Sequence, residues 1–189
     1  MDTLKSFQIV NDNAGLDYFI GKDDEELPPD IKKVIPKKYI CLVIGAQHST
    51  KKMPPELLAK LCSLISFPII ILGGPTDRES SQKIISLTEN AKVLDLCGKI
   101  SLNQSACLVK NSELVISHDT GLMHIAAAFK KRIISIWGNT IPELGMYPYL
   151  ADKDSVKFEV KNLSCRPCSK IGFDKCPKKH FKCMNDQDI

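Results

Sequence analysis

Five short apolar runs, each followed by a stretch with helical spacing or a glycine-edged loop, constrain this chain more than any other feature. They are Tyr39 to Ile44, Pro68 to Leu72, Val93 to Leu96, Glu113 to Ser117 and Ile133 to Trp137. Runs that are apolar almost without alternation suit strands buried on both faces of a parallel sheet. Between them, helices are expected from Pro54 or Pro55 to Ile65, from Asp77 to Asn90, from Ser101 to about Lys110, and from Gly121 to Phe129. Proline fits the first turn of the first helix. Ser101-Leu102-Asn103-Gln104 has the form of a capping box, in which serine and glutamine side chains satisfy free helix-end amides. Strands alternating with helices through short connections imply right-handed crossovers and a doubly wound, Rossmann-like α/β domain over residues 39–150.

In such sheets, ligands bind outside the carboxyl ends of the strands, where helix N-termini point into the crevice. The segments expected there are 45–52, 73–77, 98–99, 118–121 and 138–140, rich in glycine beside hydroxyl and charged groups. Small residues admit close backbone approach, amides and hydroxyls donate, and a lysine neutralises charge, so a phosphate-bearing ligand fits. Neither a Walker A sequence nor a complete G-x-G-x-x-G is present, which excludes the P-loop and dinucleotide fingerprints.

With 43% hydrophobic and 25% charged residues, the 189-residue chain has the composition of a globular domain rather than a disordered one. No apolar run approaches the ~20 residues of a membrane-spanning helix. Met1 to Lys5 leads into no apolar segment of a secretory signal, so the cytoplasm is the expected compartment. Residues 1–38, with an acidic cluster at Asp23-Asp24-Glu25-Glu26 and prolines at 28, 29 and 36, read as a linker-like lead-in. Residues 151–189 read as a basic, cysteine-rich tail. From Lys153 to Cys183 nine basic residues face three acidic ones, a local +6 against +4 for the whole chain. Without aromatic interleaving or a nucleic-acid motif, this is read as a solvated lysine-rich face and no nucleic-acid partner is expected.

The most informative local motif is Asp119-Thr120-Gly121-Leu122-Met123-His124-Ile125-Ala126-Ala127-Ala128. A strand delivers a carboxylate, a hydroxyl and a glycine to a helix start, and small residues then let the helix lie close to the sheet. Thr120 and the amides near Gly121 could hold a diphosphate, Asp119 could cap the helix, and His124 could face the same crevice one turn in. Taken singly, a histidine so placed is more often structural and an aspartate more often only a cap.

This motif, with Ser49-Thr50-Lys51-Lys52-Met53-Pro54, Gly73-Gly74-Pro75-Thr76-Asp77 and Cys165-Arg166-Pro167-Cys168, resembles glycosyltransferase family 9, the lipopolysaccharide heptosyltransferases. The likeness runs in order from residue 40 to 185, and the lead-in resembles the family's interdomain segment. It implies one half of a GT-B fold: the C-terminal domain, which binds a nucleotide-sugar donor, typically ADP-heptose, in an inverting, metal-independent transfer of envelope polysaccharide synthesis. Carried over, Thr50 and Lys51 hold the donor diphosphate, while Asp119, Thr120, Gly121 and His124 form the donor-site motif. Met53 stands where the family commonly has tryptophan. The partners implied are the donor, an N-terminal acceptor domain that this chain does not supply, and a peripheral contact with the inner face of the inner membrane. The catalytic base belongs to the acceptor half, so no residue is assigned that role, and the chain reads as half an enzyme, inactive alone. The alternatives are a non-catalytic nucleotide-binding module working with a separate acceptor chain, and a zinc-stapled interaction domain.

Cys41, Cys62, Cys97 and Cys107 lie on or beside expected elements and read as buried thiols. Cys165, Cys168, Cys176, His180 and Cys183 fall within nineteen residues, a density that suggests a tetrahedral zinc site in a reducing compartment. Free thiols and a disulfide are the alternatives. The resemblance, which is not to a metal-dependent family, implies that no metal is held there.

Overall fold

The computed structural model describes residues 2–90 and 92–189. Its centre is a six-stranded, all-parallel sheet of β1 (Ile40–Val43), β2 (Ile69–Leu72), β3 (Val93–Asp95), β4 (Leu114–His118), β5 (Ile133–Trp137) and β6 (Val156–Glu159). The order is β3-β2-β1-β4-β5-β6. The helices are α1 (Pro29–Val34), α2 (Pro55–Leu64), α3 (Arg78–Leu87), α4 (Leu102–Asn111), α5 (Gly121–Ala128) and the single turn α6 (Lys182–Asn185). The doubly wound α/β expectation holds, and the order reverses between β1 and β4.

The strands lack polar alternation because both faces of the sheet are covered. Cys41, Val43, Ile70, Leu72, Val115 and Ile133 point into one apolar cluster with α4 and α5. Leu42, Ile44, Ile69, Ile71, Ile116 and Ile136 point into the other, with α2 and α3. Cys41, Cys62, Cys97 and Cys107 are buried thiols, as their positions suggested. Burial pushes Cys62 up to about 11 and Cys41 up to about 12, far from the reactive thiolate.

The capping box of α4 forms as read: the Gln104 amide donates to Ser101 Oγ (3.1 Å) and the Ser101 amide donates to Gln104 Oε1 (3.0 Å). α2 starts with Pro55 in its first turn.

Two segments depart from the expectation. Within the stretch 1–38, expected to be linker-like, residues 18–35 include α1 and pack onto the apolar cluster on one face of the sheet. Ile31 is buried, and Tyr18, Ile20, Leu27 and Ile35 lie on the same apolar cluster. Tyr18 donates its hydroxyl to Asn103 Oδ1 (2.6 Å), and Asn103 donates to Asp24 Oδ2 (2.7 Å), which clasps the segment to α4. Phe7, Val10 and Phe19 remain exposed. The second departure is β6, which lies within the stretch read as a tail. Val156-Lys157-Phe158-Glu159 is a short edge strand that exposes Lys157, a device that blunts edge pairing, and its two charged residues hide it from apolar periodicity.

Ile70 is wholly buried at the sheet centre. Ile70→Ala is expected to destabilise the fold by about 2–5 kcal/mol, and Ser101→Ala by about 1 kcal/mol through loss of the cap, both read from urea denaturation midpoints.

Candidate functional site at the strand ends

The loops after β1, β2, β4 and β5 meet at the carboxyl end of the sheet, around the point where the strand order reverses. The β1 loop makes a 3-10 turn at Ser49–Lys51, with the Lys51 amide donating to His48 O (3.0 Å). That turn presents Lys51 to Asp119, which follows the last residue of β4. Lys51 Nζ lies 2.7 Å from Asp119 Oδ2, and Thr140, from the loop after β5, donates its hydroxyl to the same oxygen at 3.1 Å. The carboxylate is buried and the lysine nearly so, their side chains 5% and 14% exposed. One carboxylate thus ties together loops that are 68 and 21 residues from it in the chain.

A second pair sits beside the first. Lys52 Nζ lies 2.7 Å from Asp77 Oδ1, and Asp77 Oδ2 accepts the Gly74 amide at 2.8 Å. A Cβ on Gly45 would stand 2.7 Å from Asp77 Oδ2, so only glycine lets the β1 loop approach this carboxylate so closely.

Between these loops lies a cleft of about 380 Å³, walled by Gly45, Gly74, Pro75, Ser105, Thr120 and Gly121 among others. Thr120 occupies the N-cap position of α5 in extended backbone, yet its side chain makes no capping hydrogen bond. Gly121 opens the helix, and a Cβ built on it meets nothing within 4 Å. The free amides of α5 and the positive end of its dipole therefore face open space beside an unspent hydroxyl.

The six residues singled out from sequence do not all behave alike. Thr120 and Gly121 wall the cleft. Lys51, Asp119 and His124 do not line it; Lys51 and Asp119 form an ion pair next to it, and His124 lies within their influence. Burial pulls the His124 pKa down, while Asp119 raises it and Lys51 lowers it further. Asp119 is not the cap it was read as: Thr120 holds the cap position, and the carboxylate is committed to Lys51 and Thr140. Lys51, read as a mobile charge outside the core, is half of a buried pair. Thr50 does not line the cleft and is bonded to the C-terminal segment. Its hydroxyl donates to Phe173 O (2.9 Å) and accepts the Phe173 amide (2.8 Å), so the side chain is buried and its single donor proton is committed to the C-terminal segment.

Sequence reasoning missed the residues that brace these loops. His118, the last residue of β4, is buried, and its Nε2 accepts the Met53 amide at 3.0 Å. Its Nδ1 finds no partner among the described residues. Arg166 gathers the β5 loop: it donates to the carbonyls of Gly138, Thr140 (2.9 Å) and Val160 (2.9 Å) and to Glu159 Oε2 (2.9 Å). Only the unusual placement of arginine between two cysteines marked it in the sequence. Asn139, in the same loop, is buried with both amide atoms unpartnered among the described residues.

With this geometry in place, the comparisons with known proteins are decisive. The model of glycosyltransferase family 9 (heptosyltransferase) matches residues 13–176. The chain belongs to that family. It is 30% identical over 156 residues to lipooligosaccharide heptosyltransferase 2 of Campylobacter jejuni, covering 79% of this chain and 47% of the relative. Among solved structures, a family 9 glycosyltransferase from Veillonella parvula superposes with a TM-score of 0.70 at 22% identity, covering 82% of this chain and 46% of that one. Escherichia coli heptosyltransferase WaaC with ADP gives 0.51 at 27% identity, covering 56% and 35%. The chain spans about half the length of the curated relatives it matches. Its fold accordingly corresponds to about half of a GT-B heptosyltransferase. Among the described residues no helix is long and apolar enough to cross a membrane.

Burial pushes the pKa of His118 from 6.5 down to about 4. Between those values the unfolded chain binds a proton that the folded chain refuses, so this contribution to stability is full above pH 6.5 and is lost as the pH falls through the window. The loss is about 3 kcal/mol in all. Denaturant titrations at pH 7.5, 6 and 5 should trace it, and His118→Gln should flatten the dependence.

Proposed function

We propose that this chain is the donor-binding half of a family 9 heptosyltransferase, and that the cleft beside α5 receives the diphosphate of an ADP-heptose-like nucleotide sugar. The observation that carries this reading is the open start of α5: an unspent Thr120 hydroxyl and uncovered amides at Gly121, next to a lysine. An anion is what such a helix end favours. Gly45 and Gly74 in the opposite wall admit close backbone approach, and the relative solved with ADP supports nucleotide binding within the family.

In this reading Asp119 positions rather than binds. It holds Lys51 at the rim, and an arriving diphosphate shares the ammonium with the carboxylate. Thr50 holds the β1 loop in place through Phe173 and does not contact the donor. His124, with its pKa lowered by burial, is a neutral hydrogen-bonding group near the same charges. A chain of this span forms one wall of a two-domain cleft, so donor binding without sugar transfer is the expected behaviour of the 189 residues alone. Transfer of heptose by the purified chain would contradict this.

The site variants separate binding from folding. Gly121→Leu adds a side chain in open space, so its melting temperature should match the parent while ADP affinity falls at least about tenfold, or 1.4 kcal/mol. Thr120→Val should weaken ADP by about 1.5–3 kcal/mol with little effect on stability. Lys51→Ala should do both, destabilising the fold by about 3 kcal/mol because it strands a buried carboxylate. Calorimetric titration with paired melting curves measures each. Parent-like ADP binding by both Gly121→Leu and Thr120→Val would reduce the motif to an ordinary helix start.

A further inference from the structure

Residues 160–181 contain no helix or strand and lie as a strap across the loops that follow β1 and β5. Arg166 ties the strap to the β5 loop, where the Cys168 amide also donates to Asn139 O at 3.3 Å. On the β1 side Phe173 O accepts the Thr50 amide at 3.0 Å, in addition to the bonds with the Thr50 hydroxyl. A loop of this length is usually either functional or mobile, and this one is anchored at both ends of its crossing.

Between Ser169 and Phe173 the strap forms a tip that is bonded to itself. Ser169 Oγ accepts the amides of Ile171 (3.1 Å) and Gly172 (3.0 Å), a serine turn that fixes a short loop without a helix. Gly172 is buried at φ +123°, and a Cβ there would stand 2.6 Å from His48 Cβ, so glycine seats the tip directly on the β1 loop. The side chains on either side of it turn outward: Ile171 is 58% and Phe173 39% exposed. The fold thus holds two apolar groups in water by backbone bonds, and their burial is left to something outside the chain.

Around this tip stand lysines with almost nothing to oppose them. Residues 161–182 include Lys161, Lys170, Lys175, Lys178, Lys179 and Lys182, and the only acidic residue among them is Asp174. None of the six lysines makes an ion pair among the described residues, whereas Lys83, Lys99 and Lys157 elsewhere on the surface pair with Glu56, Asp95 and Glu143. Arg166, the remaining cation of the stretch, is spent on carbonyls and on Glu159. Lys175 and Lys179 line one cleft of about 370 Å³ with Phe181 and the β1 turn at Ser49-Thr50, so these charges gather at the strand ends beside the tip.

We propose that the strap is a docking surface for an anionic phospholipid bilayer, with Ile171 and Phe173 entering the boundary between headgroups and acyl chains and Lys170, Lys175, Lys178 and Lys179 meeting the lipid phosphates. Lysines alone would answer to any polyanion, and an apolar pair alone to any apolar surface. Together they match a surface that is negatively charged outside and apolar a few ångströms in. An isoleucine at the tip offers a nucleic acid nothing to stack on. Because the serine turn already fixes the tip, contact with the bilayer costs little further ordering. The candidate site lies at the same end of the sheet, so docking holds it beside the bilayer surface. This revises the reading of the stretch as a merely solvated face.

The test is co-sedimentation of the full chain with vesicles of phosphatidylcholine, alone or with about one-third phosphatidylglycerol, at about 0.1 M salt. The chain should sediment with the anionic vesicles, stay in solution with the neutral ones, and come off as the salt is raised. Lys178→Glu combined with Lys179→Glu should weaken binding at least about tenfold. Insertion is read separately. Trp137, the one natural tryptophan, is fully buried, so Ile171→Trp adds an exposed reporter whose emission should shift to the blue on anionic vesicles. These side chains are exposed, so both variants should melt at the parent temperature. Failure to sediment with anionic vesicles, or equal binding to neutral ones, would overturn the surface. Unshifted emission from Ile171→Trp on vesicles that hold the chain would overturn insertion of the tip. Tighter binding to a single-stranded oligonucleotide at the same salt would assign the lysines to a nucleic acid instead.

Discussion

A buried carboxylate sets the geometry of the site. Asp119 leaves the end of β4 and cannot stay charged in the interior without partners. The ammonium of Lys51 and the hydroxyl of Thr140 supply them, at 2.7 and 3.1 Å. These partners come from the loops after β1 and β5, so satisfying one charge fixes three strand ends relative to each other. The start of α5 follows directly: with Asp119 committed, Thr120 takes the cap position and its hydroxyl stays free. Removing either charged partner would leave the other buried alone, the costly way to break such a pair.

Lys52 and Asp77 repeat the same logic on the β2 side, and the absent side chain of Gly45 makes room for it. The C-terminal strap then braces the other side, through Arg166 on the β5 loop and Phe173 on Thr50. A cleft with an open helix end is therefore assembled from the loops after β1 and β2 and the starts of α4 and α5. Its stiffness comes from buried polar contacts that satisfy one another, the condition under which such networks specify a single arrangement.

The sequence made the sheet legible where burial was two-sided. Ile69-Ile70-Ile71-Leu72 has no polar alternation because both faces are covered, and that signal needs no tertiary knowledge. The capping box at Ser101 was legible because both partners lie within four residues. β6 was not, since Lys157 and Glu159 interrupt a strand that sits at an edge. Nor was the packing of the lead-in, where Ile31 buries itself among prolines and charges and the clasp from Tyr18 reaches a residue 85 positions away. The site followed the same division. The motif from Asp119 to His124 marked the place, because strand end, hydroxyl and glycine are adjacent in the chain. What each side chain does there depended on partners far off in sequence. Thr50 meets Phe173 across 123 residues, and Lys51 meets Asp119 across 68, contacts that no local pattern in the chain announces.

The central claim is that ligand enters at the reversal of strand order and not elsewhere on the sheet. A second cleft, of about 300 Å³, lies towards the β6 edge of the sheet among Trp137, Tyr147 and Lys157. None of its lining residues starts an α-helix. The most direct measurement is amide chemical-shift mapping of the labelled chain during titration with ADP. The shifts should concentrate at residues 45–47, 73–75 and 120–122, with Lys51 and His124 following. Shifts centred instead on residues 147–157, or spread evenly over the lysine-rich strap, would contradict the account.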